Sequence, residues 1–314
     1  MSRAFVFPGQ GAQVIGMGQD LAAQYPAARA VFEQVDDALG EPLSALIWDG
    51  DIDTLTLTRN AQPALMATSM AAMAALNAEG VEVREAQFVA GHSLGEYAAL
   101  AAVGALSLED TARLLRIRGE AMQDAVPAGE GAMAALLGLD LDAVREIAAE
   151  AAQGAVVEAA NDNDPAQVVV SGHAFAVARA VEIAKTRGAK RAVMLPVSAP
   201  FHCALMAPAA AAMAQALSEI DIAAPTVPVV ANVVASAVTS PTLIRNHLVD
   251  QVTGTVRWRE SIAWMAAEGV TECWEIGAGK ALSGMIRRID RSLSTRQIGT
   301  ADEVKAAADA MANG

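Results

Sequence analysis

The chain has 314 residues, 54% hydrophobic and 18% charged, enough apolar content for one large or two modest domains around a substantial core. Its formal net charge of -14, from 22 basic and 36 acidic residues, repels nucleic acid and anionic membranes at long range, so neither is an expected partner. Two cysteines, Cys203 and Cys273, and four histidines without ligand spacing exclude a disulfide framework and a metal cluster, so no metal or cofactor is expected and a reducing, cytoplasmic setting fits.

In chain order, Ala4 to Phe7 reads as a strand, followed by a Gly-rich loop from Pro8 to Gly18 that breaks any resemblance to a signal-peptide core. Helices punctuated by Pro26 and Pro42 run to about Leu76. The uncharged stretch from Asn60 to Ala78 is long enough to raise a membrane span, but Asn60, Gln62, Pro63, Thr68, Ser69 and Asn77 make a buried Ala/Met-rich helix the better reading. A second strand, Phe88-Val89-Ala90, leads into Gly91. It is followed by an Ala-rich helix from Leu94 to about Val103 and another from Ser107 to about Asp124, for which Ser107, Glu109 and Asp110 suit the N-terminus.

From Gly131 the units shorten. They read strand Ala132 to Leu137, helix Leu141 to Gln153, strand Val156 to Ala160, strand Gln167 to Ser171, helix Ala174 to Arg187 and strand Arg191 to Val197. That order, βαββαβ, is the ferredoxin-like arrangement. The larger pattern then resumes with a helix from Leu205 to Ile220, strands Val227 to Ala231 and Glu272 to Ile276, and a final helix pair. The expected fold class is α/β: a mostly parallel-sheet, α/β-hydrolase-like large domain (1–128 and 198–314) with an inserted ferredoxin-like subdomain (129–197).

Gly91-His92-Ser93-Leu94-Gly95 is a G-x-S-x-G sequence between a strand and a helix. Such an elbow exposes the serine hydroxyl on a sharp turn, which nominates Ser93 as an acyl nucleophile. A serine needs a base. His92 should point away along the turn, His173 opens a helix of the inserted unit, and His247 sits among helix-like residues. His202 follows a strand end and precedes a helix, which puts it at the carboxyl edge of the sheet, although a core histidine satisfied by backbone is the alternative. Acids that could orient it include Asp221, Asp250 and Glu275, none within a triad motif, so a backbone carbonyl could serve instead. Cys203, beside His202, reads as a packing residue.

Phe7-Pro8-Gly9-Gln10-Gly11 offers backbone N–H groups just after a strand, as an oxyanion hole or a phosphate cradle requires. The dinucleotide fingerprint would need glycine at Val14 and no P-loop lysine motif occurs, so the oxyanion reading is preferred. Arg118, among Leu114, Leu115, Ile117 and Met122, is either a snorkelling surface residue or a guanidinium aimed at a substrate carboxylate.

These segments, together with Gln62-Pro63-Ala64, Asn161 to Gly172, Phe201-His202 and Gly277 to Lys280, resemble the malonyl-CoA:acyl-carrier-protein transacylases in order over nearly the whole chain. The resemblance implies a ping-pong transfer of malonate from coenzyme A to Ser93 and on to the phosphopantetheine thiol of acyl carrier protein, supplying fatty-acid synthesis, by a monomer without metal or cofactor. It implies His202 as general base and acid, the N–H groups of Gln10 and Leu94 as oxyanion hole, Arg118 and Gln62 around the malonyl carboxylate, and the carbonyl of Gln251 as the group orienting His202. Phe201 and Leu94 resemble the malonyl-selective members, whereas methylmalonyl-selective relatives tend to carry serine and glutamine there; the segment Ser198-Ala199-Pro200 departs from the pattern. A serine esterase or thioesterase, a stand-alone polyketide-synthase acyltransferase and a non-catalytic carrier-binding scaffold are the competing readings. An acidic carrier would require a local basic patch on this acidic chain, either Lys185, Arg187, Lys190 and Arg191 or Arg287, Arg288 and Arg291.

Overall fold

The computed structural model describes residues 2–197 and 199–312. Among the described residues ten strands form two sheets: β1 (Arg3–Phe7), β2 (Phe88–Gly91), β3 (Gly131–Leu137), β4 (Val157–Asp164), β5 (Gln167–His173), β6 (Arg191–Met194), β7 (Val229–Ala231), β8 (Ser236–Val238), β9 (Glu272–Ile276) and β10 (Ser294–Ile298). The larger sheet runs in the order β10-β9-β1-β2-β7-β8, and every pairing in it is parallel except the edge hairpin of β7 with β8. Helices cover both faces, which is why β1 and β2 are apolar nearly without interruption, and β9 is buried along its length even at Glu272 and Glu275. The smaller sheet is antiparallel in the order β4-β5-β3-β6, the ferredoxin-like arrangement, with the helices Leu141–Ala152 and Ala174–Thr186 packed on one face.

The uncharged stretch forms a helix, Thr58–Ala78, buried over most of its length inside the large unit. No helix among the described residues is long and apolar enough to cross a membrane. Its alanines let neighbouring elements approach closely, and the Leu108–Asp124 helix packs directly on it. Gly119 is required there because a Cβ would lie 2.7 Å from the carbonyl oxygen of Thr58.

Several boundaries differ from the sequence expectation. Two strands were not anticipated, β8 and β10; β10 reads Ser-Thr-Arg-Gln-Ile, an edge strand too polar to announce itself, and it separates the two helices expected as a terminal pair. β6 ends at Met194 instead of reaching Val197. The expected Leu205–Ile220 helix begins as a 3-10 turn at Ala204 and is α-helical over Ala207–Ser218.

β4 differs most. Asn161-Asp162-Asn163-Asp164-Pro165 has the composition of a turn, yet the strand continues through it with two irregularities in its pairing to β5. Tertiary contacts hold it there. Asn161 bridges to Val256, the Asp162 N–H donates to the Val256 carbonyl at 2.9 Å, and the buried carboxylates of Asp162 and Asp164 accept from Arg259 (2.9 Å) and Arg288 (2.7 Å) of the large unit. β4 is therefore the seam between the two sheets. Asp162→Ala should lower stability by about 1–3 kcal/mol, the usual cost of removing a hydrogen-bonded buried acceptor from a charged donor. Urea unfolding followed by circular dichroism checks this, with an unchanged midpoint as the contrary result.

Candidate active site

β1 and β2 lie side by side and end together, Phe7 opposite Gly91, so the loop after β1 and the elbow after β2 emerge at the same carboxyl edge of the sheet. The elbow is sterically exacting. A Cβ on Gly91 would lie 1.9 Å from the Gly95 carbonyl, and one on Gly95 would lie 2.3 Å from the carbonyl oxygen of Phe7. The two glycines thus permit a turn in which Ser93 adopts φ 53°, a left-handed conformation unusual for a serine. His202 is left-handed as well, at φ 58°. Such backbones persist only where the surroundings over-determine them.

The two residues meet. Ser93 Oγ lies 2.8 Å from His202 Nε2, and His202 Nδ1 lies 2.8 Å from the Gln251 carbonyl oxygen. The carbonyl requires Nδ1 to carry the ring proton, which leaves Nε2 as the acceptor facing the serine hydroxyl. Burial, then the positive charge of Arg118, pushes the His202 pKa down to about 3, so the ring is neutral and ready to take a proton. The acids considered as orienting groups lie elsewhere. Glu275 caps the Ala281–Ile289 helix through the N–H groups of Leu282 and Ser283, Asp250 sits beside His247, and Asp221 is exposed. Cys203 is fully buried, its thiol held by the Pro200 carbonyl and its pKa raised by burial, so it packs as expected.

Leu94 is the N-cap of the Gly95–Ala102 helix, where main-chain N–H groups have no acceptor within the helix. Gln10, on the loop facing it, lines the same cavity, and Gly9 is needed because a Cβ there would stand 2.7 Å from the His92 carbonyl oxygen. The cavity holds about 410 Å³. Gln10, Gln62, Ser93, Arg118 and Phe201 line it from the large unit, and Met133, Asn161 and Leu195 close it from the smaller sheet's side.

Of the two readings for Arg118, the buried one holds: it is 1% exposed. Its Nη1 donates to Gln62 Oε1 (2.8 Å), and its Nη2 to Gln251 Oε1 (2.8 Å) and Ser93 Oγ (3.1 Å), while the Tyr97 ring centroid lies 5.6 Å from Cζ. All these partners are neutral. Among the described residues the guanidinium forms no ion pair, and its Nε has no acceptor. Desolvation accordingly lowers its pKa.

The structure thus brings Ser93, His202, Gln10, Leu94, Gln251, Arg118, Gln62 and Phe201 to one place. Ser198 lies outside the described residues. His173 accepts the Val156 N–H at 3.0 Å within the small unit, and His92 turns away from Ser93 to meet Asn163 Oδ1 at 2.8 Å. The sequence reading missed Asn232, whose Oδ1 accepts the Ser93 N–H (2.8 Å), and gave no role to Glu96, which directly follows the elbow and is 2% exposed. The signal for Asn232 is its place at the carboxyl end of β7, beside the elbow strand; for Glu96 it is an acid within an otherwise apolar helical turn.

A left-handed serine whose hydroxyl faces a neutral histidine, in a cavity that Gln10 and Leu94 also line, has the chemistry to form and break a serine ester, and on this sheet it defines the class as an α/β acyl-transfer enzyme. Comparison with known proteins agrees. Residues 4–300 match the acyl transferase domain. The chain is 47% identical over 305 residues to the malonyl CoA-acyl carrier protein transacylase of Bacillus subtilis, covering 97% of this chain and 95% of that protein, and 45% identical over 304 residues to that of Escherichia coli K12, covering 97% and 98%. The acyl-carrier-protein-S-malonyltransferase of Bartonella henselae superposes with a TM-score of 0.97 at 56% identity, covering 99% of this chain and 100% of that one. A malonyl-transacylase solved in complex with its type II PKS acyl-carrier protein superposes at 0.96 with 40% identity, covering 99% and 100%. The chain belongs to the acyl transferase domain family, among the malonyl CoA-acyl carrier protein transacylases.

Two buried groups give opposite dependences of stability on pH. A histidine in the unfolded chain binds a proton near pH ~6.5, whereas His202 in the folded chain does so only near about 3. Its contribution is therefore complete above the unfolded value and is lost as pH falls toward the folded one. Glu96, raised by burial to about 7, keeps its proton where an unfolded glutamate has released it; its contribution is present in acid and lost as pH rises through about 7. Between about pH 6.5 and 4.5 the two oppose each other. In chemical denaturation, His202→Gln should flatten the loss of stability on acidification and Glu96→Gln should steepen it. Unaltered slopes in both variants would contradict these protonation states.

Proposed function

We propose that this chain transfers malonate from malonyl-CoA to the phosphopantetheine thiol of acyl carrier protein, through a malonyl ester on Ser93, to supply extender units for fatty-acid synthesis in the cytoplasm. One observation carries the choice of acyl group: a buried guanidinium, without an anionic partner among the described residues, whose Nη2 stands 3.1 Å from the nucleophilic oxygen. A carboxylate two carbons from a thioester carbonyl satisfies both requirements, since it can pair with Arg118 while the carbonyl sits at Ser93. Gln62, bonded to Nη1, orients the planar fork.

In the first half-reaction Ser93 Oγ attacks the thioester carbonyl carbon and its proton passes to His202 Nε2. The negative charge that develops on the carbonyl oxygen is received by the N–H groups of Gln10 and Leu94, and the Gln251 carbonyl stabilises the imidazolium. Collapse breaks the C–S bond, and the coenzyme A sulfur leaves with the proton held by His202. In the second half-reaction the carrier thiol gives its proton to His202, attacks the ester carbonyl and releases Ser93 Oγ, which recovers that proton. The residues themselves supply nucleophile, base and anion cradle, so the proposal needs no metal or bound cofactor. Phe201, 8% exposed on the cavity wall, narrows the room for an α-methyl branch.

For the carrier we favour Lys190 and Arg191. Lys185 and Arg187 of the same patch are paired with Glu182, Glu146 and Glu150, and Arg288 of the other patch is pinned to Asp164. Lys190 and Arg191 are exposed at the start of β6, whose chain continues into Leu195 at the cavity, a span of about 13 Å for four extended residues. We also propose that the protein acts as a monomer, with residues 1–128 and 198–314 as one unit and 129–197 as an inserted one.

Incubation with malonyl-, methylmalonyl- and acetyl-CoA, followed by intact-mass and peptide mass spectrometry, tests the reading. Malonate should appear on Ser93, and Arg118→Ala should reduce that loading by about 10²- to 10³-fold, the range for truncating one side of a buried charge pair, without reducing acetyl loading. Wild-type protein that gains no malonyl group on Ser93 would leave only the non-catalytic scaffold, and an Arg118→Ala variant that still prefers malonate would favour an esterase. Reversing the charge of Lys190 and Arg191 should raise KM for the carrier and leave malonyl loading of Ser93 unaltered.

A further inference from the structure

The left-handed backbone of Ser93 is held from both sides. Its N–H donates to Asn232 Oδ1 at 2.8 Å and its carbonyl oxygen accepts from Gln251 Nε2 at 3.1 Å. Asn232 is tied in turn to the elbow strand, its Nδ2 donating to the Gly91 carbonyl at 2.7 Å. Gln251 is the busiest residue in the site, because its side-chain Oε1 accepts from Arg118 and its main-chain carbonyl accepts from His202. Both clamps end on a single atom. Glu96 Oε2 accepts the Asn232 N–H at 3.0 Å and Gln251 Nε2 at 2.8 Å, in a region where Glu96, Asn232 and Gln251 are each at most 2% exposed.

Glu96 is not among the residues lining the cavity, so it has no route to substrate. Its effect has to pass through the amide of Gln251. An amide placed between two partners can face either way, and rotation by half a turn would set Nε2 against the guanidinium, where donor meets donor. A guanidinium on one side and an acceptor oxygen on the other leave one orientation. Glu96 supplies the nearest acceptor on that side, at 2.8 Å against 3.1 Å for the Ser93 carbonyl and 3.3 Å for Asn232 Oδ1, and it also fixes the peptide of Asn232. One oxygen receives both hydrogen bonds, so the second carboxyl oxygen is free to carry a proton, and the arrangement holds whether Glu96 is ionised or neutral; with its pKa raised to about 7, both forms are populated near neutrality.

Resting on the acyl-transfer reading above, we propose that Glu96 is the positioning residue of the site: through Asn232 and Gln251 it pins the strained backbone of Ser93 and, by the same Gln251, the placements of His202 and Arg118. What matters is the reach of its acceptor oxygen, not its charge. Glu96→Gln keeps an acceptor at the same distance, Glu96→Asp withdraws it by one methylene, and Glu96→Met fills the space without an acceptor.

The test is the rate of acyl loading on Ser93, read by mass spectrometry with malonyl-CoA and separately with acetyl-CoA, with thermal unfolding of each variant recorded alongside. Glu96→Gln should load malonate within about threefold of wild type, whereas Glu96→Asp and Glu96→Met should be slower by about 10²-fold, the scale of a 1 Å displacement at reacting atoms. The deficit should appear with both acyl groups, because Ser93 and His202 serve both, unlike the malonate-only loss from Arg118→Ala. Should one of the two slow variants fail to fold, the other carries the comparison, and should neither fold, Glu96→Gln decides alone by whether it stays within threefold. A Glu96→Asp or Glu96→Met protein that folds and loads at the wild-type rate overturns the proposal, as does a Glu96→Gln protein as slow as Glu96→Asp. Wild-type protein that takes up no malonate would instead defeat the underlying acyl-transfer reading.

Discussion

The 2.8 Å contact between Ser93 Oγ and His202 Nε2 joins two residues 109 positions apart, and both have backbones in the left-handed region that side chains seldom adopt. Each such conformation costs on the order of 1 kcal/mol or more and would relax if its surroundings allowed it. The architecture around the contact consists of the means to prevent that. Gly91 and Gly95 remove the side chains that would collide within the elbow, and Asn232 and Gln251 grip the Ser93 peptide. The Gln251 carbonyl then holds the imidazole in the one tautomer that leaves an acceptor toward the hydroxyl. The parallel sheet makes this possible at long range, because β1, β2 and β7 end on the same edge and deliver the Gln10 loop, the elbow and Asn232 to one another.

Much of this was legible in the sequence, for identifiable reasons. The elbow is a local motif whose glycines have a steric cause, so the placement of Ser93 and Leu94 at the turn can be read from five consecutive letters. The βαββαβ unit shows in the alternation of short apolar runs, and in the large unit Ser107 marks the start of the Leu108–Asp124 helix, its Oγ accepting the Asp110 N–H. What was not legible depends on distant partners. β4 continues through Asn161 to Asp164 only because Arg259 and Arg288, about a hundred residues later, neutralise carboxylates that would otherwise favour a turn. β10 is polar because it lies at a sheet edge, and composition alone cannot tell that from a loop. Asn232 lies in no motif, and Glu96, although it closes the motif Gly91-His92-Ser93-Leu94-Gly95-Glu96, carries no chemistry of its own by which the motif assigns it a role. Their importance comes from which peptide groups they hold. Arg118 could be read either way until its burial was known, since the sequence around it suits a surface helix as well as an inward one.

On the proposed function, Arg118 links recognition of the acyl group to activation of the nucleophile. Its Nη donors rest on the neutral oxygens of Gln62, Gln251 and Ser93, which partly satisfy the hydrogen bonds but give the buried cation no ion pair among the described residues. An entering carboxylate is a stronger acceptor than a hydroxyl, so on that reading it would take over the Nη2 hydrogen now shared with Ser93 Oγ. That exchange has two consequences. The serine oxygen loses a donor that was holding its lone pair, and the cation gains the anion it lacked, so recognition of the acyl group and release of the nucleophile are the same event. An acyl group without a carboxylate achieves neither, and a water molecule approaching the ester meets a cavity whose strongest donor is already occupied by the malonyl group itself. On the proposed function, selectivity for a dicarboxylic acyl group and persistence of its ester until a thiol arrives would follow from one buried guanidinium that forms no ion pair among the described residues.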